Sequence, residues 1–117
     1  MADTTTREYQ SFGEFFPHYL REHAEPRTRY LHYVGTALVI GIWVWALLAL
    51  NAWLILLTPL AGYGFAWAAH AFVERNRPAT FTYPWWSFLS DFKMFGLAMT
   101  GRLRPHLERA GVAASAA

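Results

Sequence analysis

The sequence of 117 residues contains no cysteine. This absence excludes disulfide bonds, thiolate metal ligands and cysteine nucleophiles, and it leaves the redox compartment open. Charge is also scarce, because only 15% of the residues are Asp, Glu, Lys or Arg, against about 25% in a soluble globular domain. Hydrophobic residues, by contrast, make up 55% of the chain. The composition therefore favours a membrane protein over a soluble one.

The longest uncharged stretch covers residues 30–73, where 44 consecutive positions carry no Asp, Glu, Lys or Arg. One transmembrane helix needs about 20 apolar residues, so this stretch has room for two. Asn51 is the main polar break within it. We therefore predict two spans, roughly 28–50 and 52–74, joined as a helical hairpin, with Pro59 tolerated as a kink in the second.

The basic residues predict how such a hairpin is oriented. All ten Lys and Arg lie outside the uncharged stretch, and the loop near Asn51 has none. By the positive-inside rule both termini are expected in the cytoplasm. The use of Arg over Lys slightly favours a bacterial plasma membrane. Because the basic residues flank the spans instead of forming a groove with exposed aromatics, no nucleic-acid partner is expected.

Two further helices are expected outside the hairpin. Ser11 and Glu14 fit a capping box at the start of an amphipathic helix, with a kink or late start at Pro17. Its apolar stripe is expected to lie along the membrane surface. Pro84 suits the first turn of another helix, about 85–100, which is too short for a span and is typical of an interfacial or re-entrant segment.

The predicted fold class is therefore all-α, an integral membrane helical hairpin with flanking interfacial helices. The whole chain, 1–117, is expected to form a single membrane domain, with segments 1–9 and 110–117 disordered. Trp43, Trp45 and Trp53 are expected to contact lipid. So small an internal core is compatible with a homodimer.

Three histidines are expected to meet at the cytoplasmic mouth of the hairpin. Asn51 lies 19 residues after His32 and 19 before His70, so a reversal at Asn51 brings both imidazoles to the same depth. His23 precedes the first span. A single interfacial histidine is usually hydrogen-bonded to a carbonyl, but ionisable groups gathered at the edge of an apolar bundle are functional candidates. Three imidazoles with an optional carboxylate suit Fe(II), Zn(II) or Mn(II).

Two carboxylates are candidates for roles beside these imidazoles. Glu74 follows His70 at the i, i+4 spacing and so shares its helix face. It is expected either as a fourth metal ligand or as an acceptor that orients an imidazole, unless it pairs with Arg75 or Arg77. Asp91, in an otherwise apolar helix, is a further candidate to hold an imidazole, or else it caps a helix or forms a salt bridge.

The polar segments around the hairpin resemble one protein family. The first is His23-Ala-Glu-Pro26 with His32-Tyr-Val-Gly35, and the second runs from His70 to Phe81 as HAFVERNRPATF. Tyr83-Pro84, Ser87 and Asp91 match as well. Over roughly residues 12–96 the chain is similar to the fungal iron-dependent 2-hydroxy fatty acid dioxygenases of sphingoid-base α-oxidation and their small bacterial relatives.

The resemblance implies cleavage of a 2-hydroxy fatty acid between C1 and C2, with Fe(II) and O2, to give a fatty acid one carbon shorter. It implies that Arg77, with Arg29, neutralises the substrate carboxylate. Glu74 is expected to act behind the ligands, because three histidines leave room for a bidentate substrate and O2. The competing hypothesis is a small membrane binding or assembly protein whose histidines hold a structural Zn(II) or form a polar network.

Overall fold

The computed structural model describes residues 9–78 and 81–112, and within these ranges it is entirely helical. This confirms the predicted all-α class. The α-helices are α1 (Phe12–Arg21), α2 (Pro26–Leu48), α3 (Thr58–Ala68), α4 (Pro84–Met99) and α5 (Leu103–Arg109). A 3₁₀ helix, Ala52–Leu57, leads into α3, and a π-helical turn, Ala69–Glu74, continues it.

Two helical segments form the predicted hairpin. Pro26–Leu48 and Ala52–Glu74 are each 23 residues long and are long and apolar enough to cross a membrane. The chain reverses at Leu50, whose φ is +51°, and at Asn51, whose side chain accepts a hydrogen bond from the Trp53 backbone N–H at 3.1 Å. The reversal therefore lies where the sequence predicts it.

The two arms of the hairpin approach most closely at Gly35 of α2. A Cβ atom on Gly35 would lie 3.2 Å from the Ala61 carbonyl oxygen and 3.3 Å from the Phe65 Cβ. Small residues allow the backbones of membrane helices to pack at such short range. Because Gly35 is one turn from His32, this contact positions the His32 end of α2 against α3.

The apolar stripe of α1 packs inside the protein and not along a membrane surface as predicted. Its buried residues pack in one apolar cluster with residues of α4 and with one face of α5. The cluster comprises Phe15, Phe16, Tyr19 and Leu20 of α1 with Tyr83, Met94, Leu103 and Leu107. One half of the predicted capping box of α1 is present, since Ser11 Oγ accepts from the Glu14 N–H at 3.2 Å. The Glu14 carboxylate accepts from the Gln10 N–H at 2.9 Å, one residue before the position that the capping box requires.

The two segments expected to be disordered fall mainly outside the described residues, which exclude 1–8 and 113–117. Their described parts are packed. The Tyr9 ring lies 5.9 Å from that of Tyr83, and Ala110 and Val112 are buried in the α1–α4–α5 core. The core thus extends a few residues beyond the helices at both ends.

Candidate metal centre

The three predicted histidines converge on one buried point. His23 lies in the turn between α1 and α2, His32 in α2, and His70 in the π-helical turn, and they are 1%, 4% and 2% exposed. The Nε2 atom of His23 is 3.0 Å from that of His32 and 3.1 Å from that of His70. One ring nitrogen from each lies within 4.8 Å of the others, a grouping that could hold a metal ion.

The outer nitrogens of His23 and His32 are fixed by backbone carbonyls four residues earlier in the chain. His23 Nδ1 lies 2.6 Å from the Tyr19 carbonyl oxygen, and His32 Nδ1 lies 2.9 Å from the Thr28 carbonyl oxygen. A carbonyl oxygen can only accept, so each ring must carry its proton on Nδ1. The Nε2 atoms of both rings are therefore unprotonated in the neutral state.

The outer nitrogen of His70 is fixed by Asn76. Its Nδ1 lies 2.6 Å from the Asn76 Oδ1. The amide NH2 of Asn76 donates to the Glu22 carbonyl at 3.1 Å and to the Glu22 Oε2 at 2.5 Å. Because both amide hydrogens face Glu22, the amide oxygen must face His70, which assigns the same tautomer to the third ring.

Three lone pairs consequently face one another with no hydrogen between them. Burial, together with the neighbouring His32 and His70, holds the pKa of His23 well below its usual range, so protonation does not resolve the conflict. A divalent transition metal would resolve it, because such an ion could accept all three lone pairs. Two nitrogens about 2.1 Å from one ion and at right angles are about 3.0 Å apart, which suits the separations of 3.0 and 3.1 Å from His23 to His32 and to His70.

Glu74 lies beside this cluster in a position different from both predicted roles. Its Oε1 accepts a hydrogen bond from the Glu25 backbone N–H, at the start of α2. The acceptor position on His70 that was predicted for Glu74 is held by Asn76. Glu74 thus joins the π-helical turn to the turn that carries His23. The sequence analysis did not single out Asn76, although the residue stands in the matched HAFVERNRPATF segment.

Asp91 is connected to the cluster through Tyr19. The Tyr19 hydroxyl donates to Asp91 Oδ1 at 2.5 Å, and the Tyr19 ring stacks on that of His23 with centroids 4.0 Å apart. Burial raises the pKa of Asp91 from 3.8 to about 7. The sequence analysis named Asp91 as a candidate to hold an imidazole, but its carboxyl is hydrogen-bonded to Tyr19 instead. Asp91 lines the cavity that touches the three rings.

The two arginines expected to bind a substrate carboxylate lie elsewhere. Arg77 is exposed, and its guanidinium stacks on the Phe81 ring at 4.7 Å. Arg29 is fully buried, and its Nη1 donates to the carbonyls of His23 and Ala24, both at 2.9 Å. Arg29 therefore holds the turn that carries His23. Neither guanidinium lines the two cavities that adjoin the histidines.

Two cavities adjoin the histidines. A small one of about 20 Å³ touches all three rings, with Tyr19 and Asp91 in its wall. A larger one of about 320 Å³ begins at His32 and Asp91 and is otherwise mainly apolar. Along α2 its wall is formed by residues 32, 36, 39 and 43, which share one helix face. A polar head at the rings and an apolar tail along the hairpin would both fit this arrangement.

Comparison with known proteins identifies the family. The sequence profile of the family described as 2-hydroxy-palmitic acid dioxygenase Mpo1-like matches residues 9–103. That range contains helices α1 to α4 and all three histidines. Searches of curated proteins and of solved structures find no match. The chain, with its three facing imidazoles, therefore belongs to the 2-hydroxy-palmitic acid dioxygenase Mpo1-like family.

Proposed function

We propose that this protein is a membrane-embedded, non-haem Fe(II) dioxygenase that cleaves 2-hydroxy fatty acids between C1 and C2. The product is a fatty acid one carbon shorter. With O2 as the sole oxidant the stoichiometry closes, because one 2-hydroxy acid and one O2 balance one shorter acid, one CO2 and one water. The observation that carries the proposal is the set of three unprotonated Nε2 atoms facing one another in a chain of this family.

His23, His32 and His70 would hold the iron. Bound there, Fe(II) would supply open positions for an α-hydroxycarboxylate and for O2. The chain's own contribution is to fix each ring by an acceptor on its Nδ1, which orients the ligand and raises its basicity. Burial of all three rings keeps water away from the site. In this scheme Glu74 and Arg29 are positioning residues for the turn that carries His23.

Asp91 is placed to act on the substrate head group. It lines both the small cavity at the rings and the larger apolar one, so it stands where a 2-hydroxyl group would lie. A carboxyl with a pKa of about 7 is suited to accept a proton near neutral pH. Tyr19, hydrogen-bonded to the same carboxyl, holds it in that orientation. Arg77, stacked on Phe81 at the surface, has no part in this scheme.

The acyl chain of the substrate would occupy the cavity of about 320 Å³ between α2, α3 and α4. Ligand cavities of this kind typically start at about 300 Å³ and are lined mainly by apolar side chains. The cavity runs along the hairpin, so a lipid-like substrate would keep its tail at membrane depth while its head reaches the histidines. We place both termini in the cytoplasm and the protein in a bacterial plasma membrane, on the charge distribution given above.

The test is metal analysis and oxygen uptake on protein purified without chelator. Wild type should retain iron and consume O2 when 2-hydroxypalmitate is added. His32→Ala and His70→Ala should lose both the metal and the activity, whereas His106→Ala, at the surface, should keep both. Full iron occupancy in His70→Ala would contradict the ligand assignment.

The same experiment separates the enzyme from a structural zinc protein. Structural zinc is almost always held by four protein ligands in a closed site, and the cluster among the described residues offers three imidazoles. Tightly bound zinc without oxygen uptake would support the structural alternative and overturn the dioxygenase.

A further inference from the structure

Trp43 stands at the opposite end of the apolar cavity from His32. Its Nε1–H donates to the Thr58 Oγ1 at 2.8 Å, and its ring stacks on that of Phe92 with centroids 5.5 Å apart and an interplanar angle of 22°. The indole is thus held by the start of α3 on one side and by α4 on the other. Trp43 was predicted to contact lipid, and 37% of the residue is exposed, compared with 54% for Trp45. The remainder of its surface is covered by these contacts.

A second apolar space lies beyond Trp43. It has a volume of about 340 Å³ and reaches the hairpin reversal at Leu50 and Asn51. Trp43 and Ile55 line both this groove and the cavity that begins at His32. These two side chains therefore separate the two spaces, and the indole is the larger of them.

The position of Trp43 along α2 matches the length scale of an acyl chain. Residues 32 and 43 are 11 positions apart, which corresponds to about 16 Å along a helix. A chain that starts at the imidazoles and follows this face of α2 passes Thr36 and Val39 and then meets the indole. From Trp43 to Leu50 the groove continues for about another 10 Å.

We propose that Trp43 sets the upper limit of the acyl-chain length that this protein accepts. This inference rests on the proposed function, which places the head group of the substrate at the histidines. The indole closes the cavity that begins at the histidines, and its hydrogen bond to Thr58 keeps it closed. A longer chain must displace the ring from Thr58 and Phe92 before it can enter the groove near Asn51. Trp43 is in this sense a specificity-determining residue.

The experiment is a chain-length series measured twice, as oxygen uptake and as displacement of a fluorescent fatty acid from the detergent-solubilised protein. The ligands are 2-hydroxylaurate, 2-hydroxymyristate, 2-hydroxypalmitate, 2-hydroxystearate and 2-hydroxyarachidate. Trp43→Ala should move the preferred length up the series, and the Kd of the longest ligands should fall roughly tenfold relative to that of the shortest, the scale of relieving an overpacked cavity. Thr58→Val, which keeps the indole but removes its hydrogen bond, should give a smaller shift in the same direction.

Two variants provide the controls. Val39→Phe fills the cavity midway and should shift the preferred chain length down the series. This opposite shift can still be measured if Trp43→Ala does not fold. Trp45→Ala makes the same chemical change two residues away, at a residue that lines neither space, and should leave the length profile as in wild type.

The outcomes distinguish this proposal from the one on which it rests. Displacement does not require turnover, so ligand binding with a length shift but no oxygen uptake would overturn the dioxygenase and retain Trp43 as the length limit. Oxygen uptake with an unchanged length profile in Trp43→Ala and Val39→Phe would overturn the role of Trp43 and retain the dioxygenase. A uniform loss across all lengths in Trp43→Ala, without an opposite shift in Val39→Phe, would show a merely structural role for the indole and overturn the proposal.

Discussion

Asn76→Ala tests most directly whether the hydrogen bond behind His70 fixes that ring as a metal ligand. The substitution removes the oxygen that accepts from His70 Nδ1–H at 2.6 Å. It leaves the backbone acceptors of His23 and His32 in place. One of three ligands therefore loses its orienting partner, while the ligand set itself is unchanged.

Two separate considerations bear on the effect. Loss of a hydrogen-bond partner behind a metal ligand typically reduces metal affinity by about 10–100-fold, which corresponds to about 1.4–2.7 kcal/mol. A buried N–H left without an acceptor costs about 1–3 kcal/mol. Because His70 is 2% exposed, its Nδ1–H has little access to water, so this second cost lowers the stability of the folded protein and adds to the loss of metal affinity without setting its size. We therefore expect Asn76→Ala to weaken metal binding by about 10–100-fold.

The assay is a competition titration of metal-free protein against a chromogenic chelator. Two controls isolate the bond to His70. Glu22→Ala removes one of the two Asn76 contacts to Glu22 but keeps the bond from His70, so its affinity should stay within a few-fold of wild type. Glu74→Gln keeps an oxygen acceptor for the Glu25 N–H and should likewise bind metal nearly as wild type does.

The opposite pattern would refute this reasoning. Wild-type affinity in Asn76→Ala would show that the His70 tautomer is not set by the amide. Loss of metal in Glu74→Gln, with retention in Asn76→Ala, would instead place the carboxylate on the metal as a fourth ligand.

Two further predictions concern pH dependence and topology. Burial raises the pKa of Asp91 from 3.8 to about 7, so the folded state favours the protonated carboxyl. This preference contributes at most about 4 kcal/mol to the stability of the metal-free protein. The contribution is fully present below about pH 4 and is lost as the pH rises to about 7. Relative to wild type, Asp91→Asn should therefore have a higher melting temperature at pH 7 than at pH 4, while His23, whose pKa burial lowers, contributes equally to both proteins. A difference between the two proteins that does not change with pH would contradict this role of Asp91. A tag at Asn51 should read external and a reporter fused at Ala117 cytoplasmic; a cytoplasmic Asn51 would contradict the hairpin orientation.

The hairpin and the meeting of the histidines could be predicted because both depend on long, simple patterns. A run of uncharged residues fixes two helices, and helices of equal length that reverse at Asn51 must bring His32 and His70 to one level. The third imidazole, that of His23, could be predicted only to lie near the mouth of the hairpin, since its position depends on a turn. In the structure that turn is held by Arg29, whose buried guanidinium bonds to its carbonyls.

The partner of His70 could not be predicted, because the helix changes its geometry at this point. In a regular α-helix the i+4 residue shares the face of residue i, which selects Glu74. Here the backbone widens into a π-helical turn, and Arg75 follows with φ +58° in the left-handed region. The Asn76 N–H then bonds to the His70 carbonyl at 3.0 Å, and its side chain turns back onto the same ring. Such π-helical turns are frequent at functional sites.

The three imidazoles also differ in what holds them. His23 and His32 each donate to the carbonyl four residues earlier, in α1 and in α2 respectively, so their orientation is determined locally. His70 depends on Asn76, and Asn76 depends on Glu22 at the end of α1, 54 residues away in sequence. The second arm of the hairpin must therefore dock against α1 before the third Nε2 atom faces the other two. It follows that the complete donor set exists only in the fully packed protein, which couples metal affinity to tertiary structure.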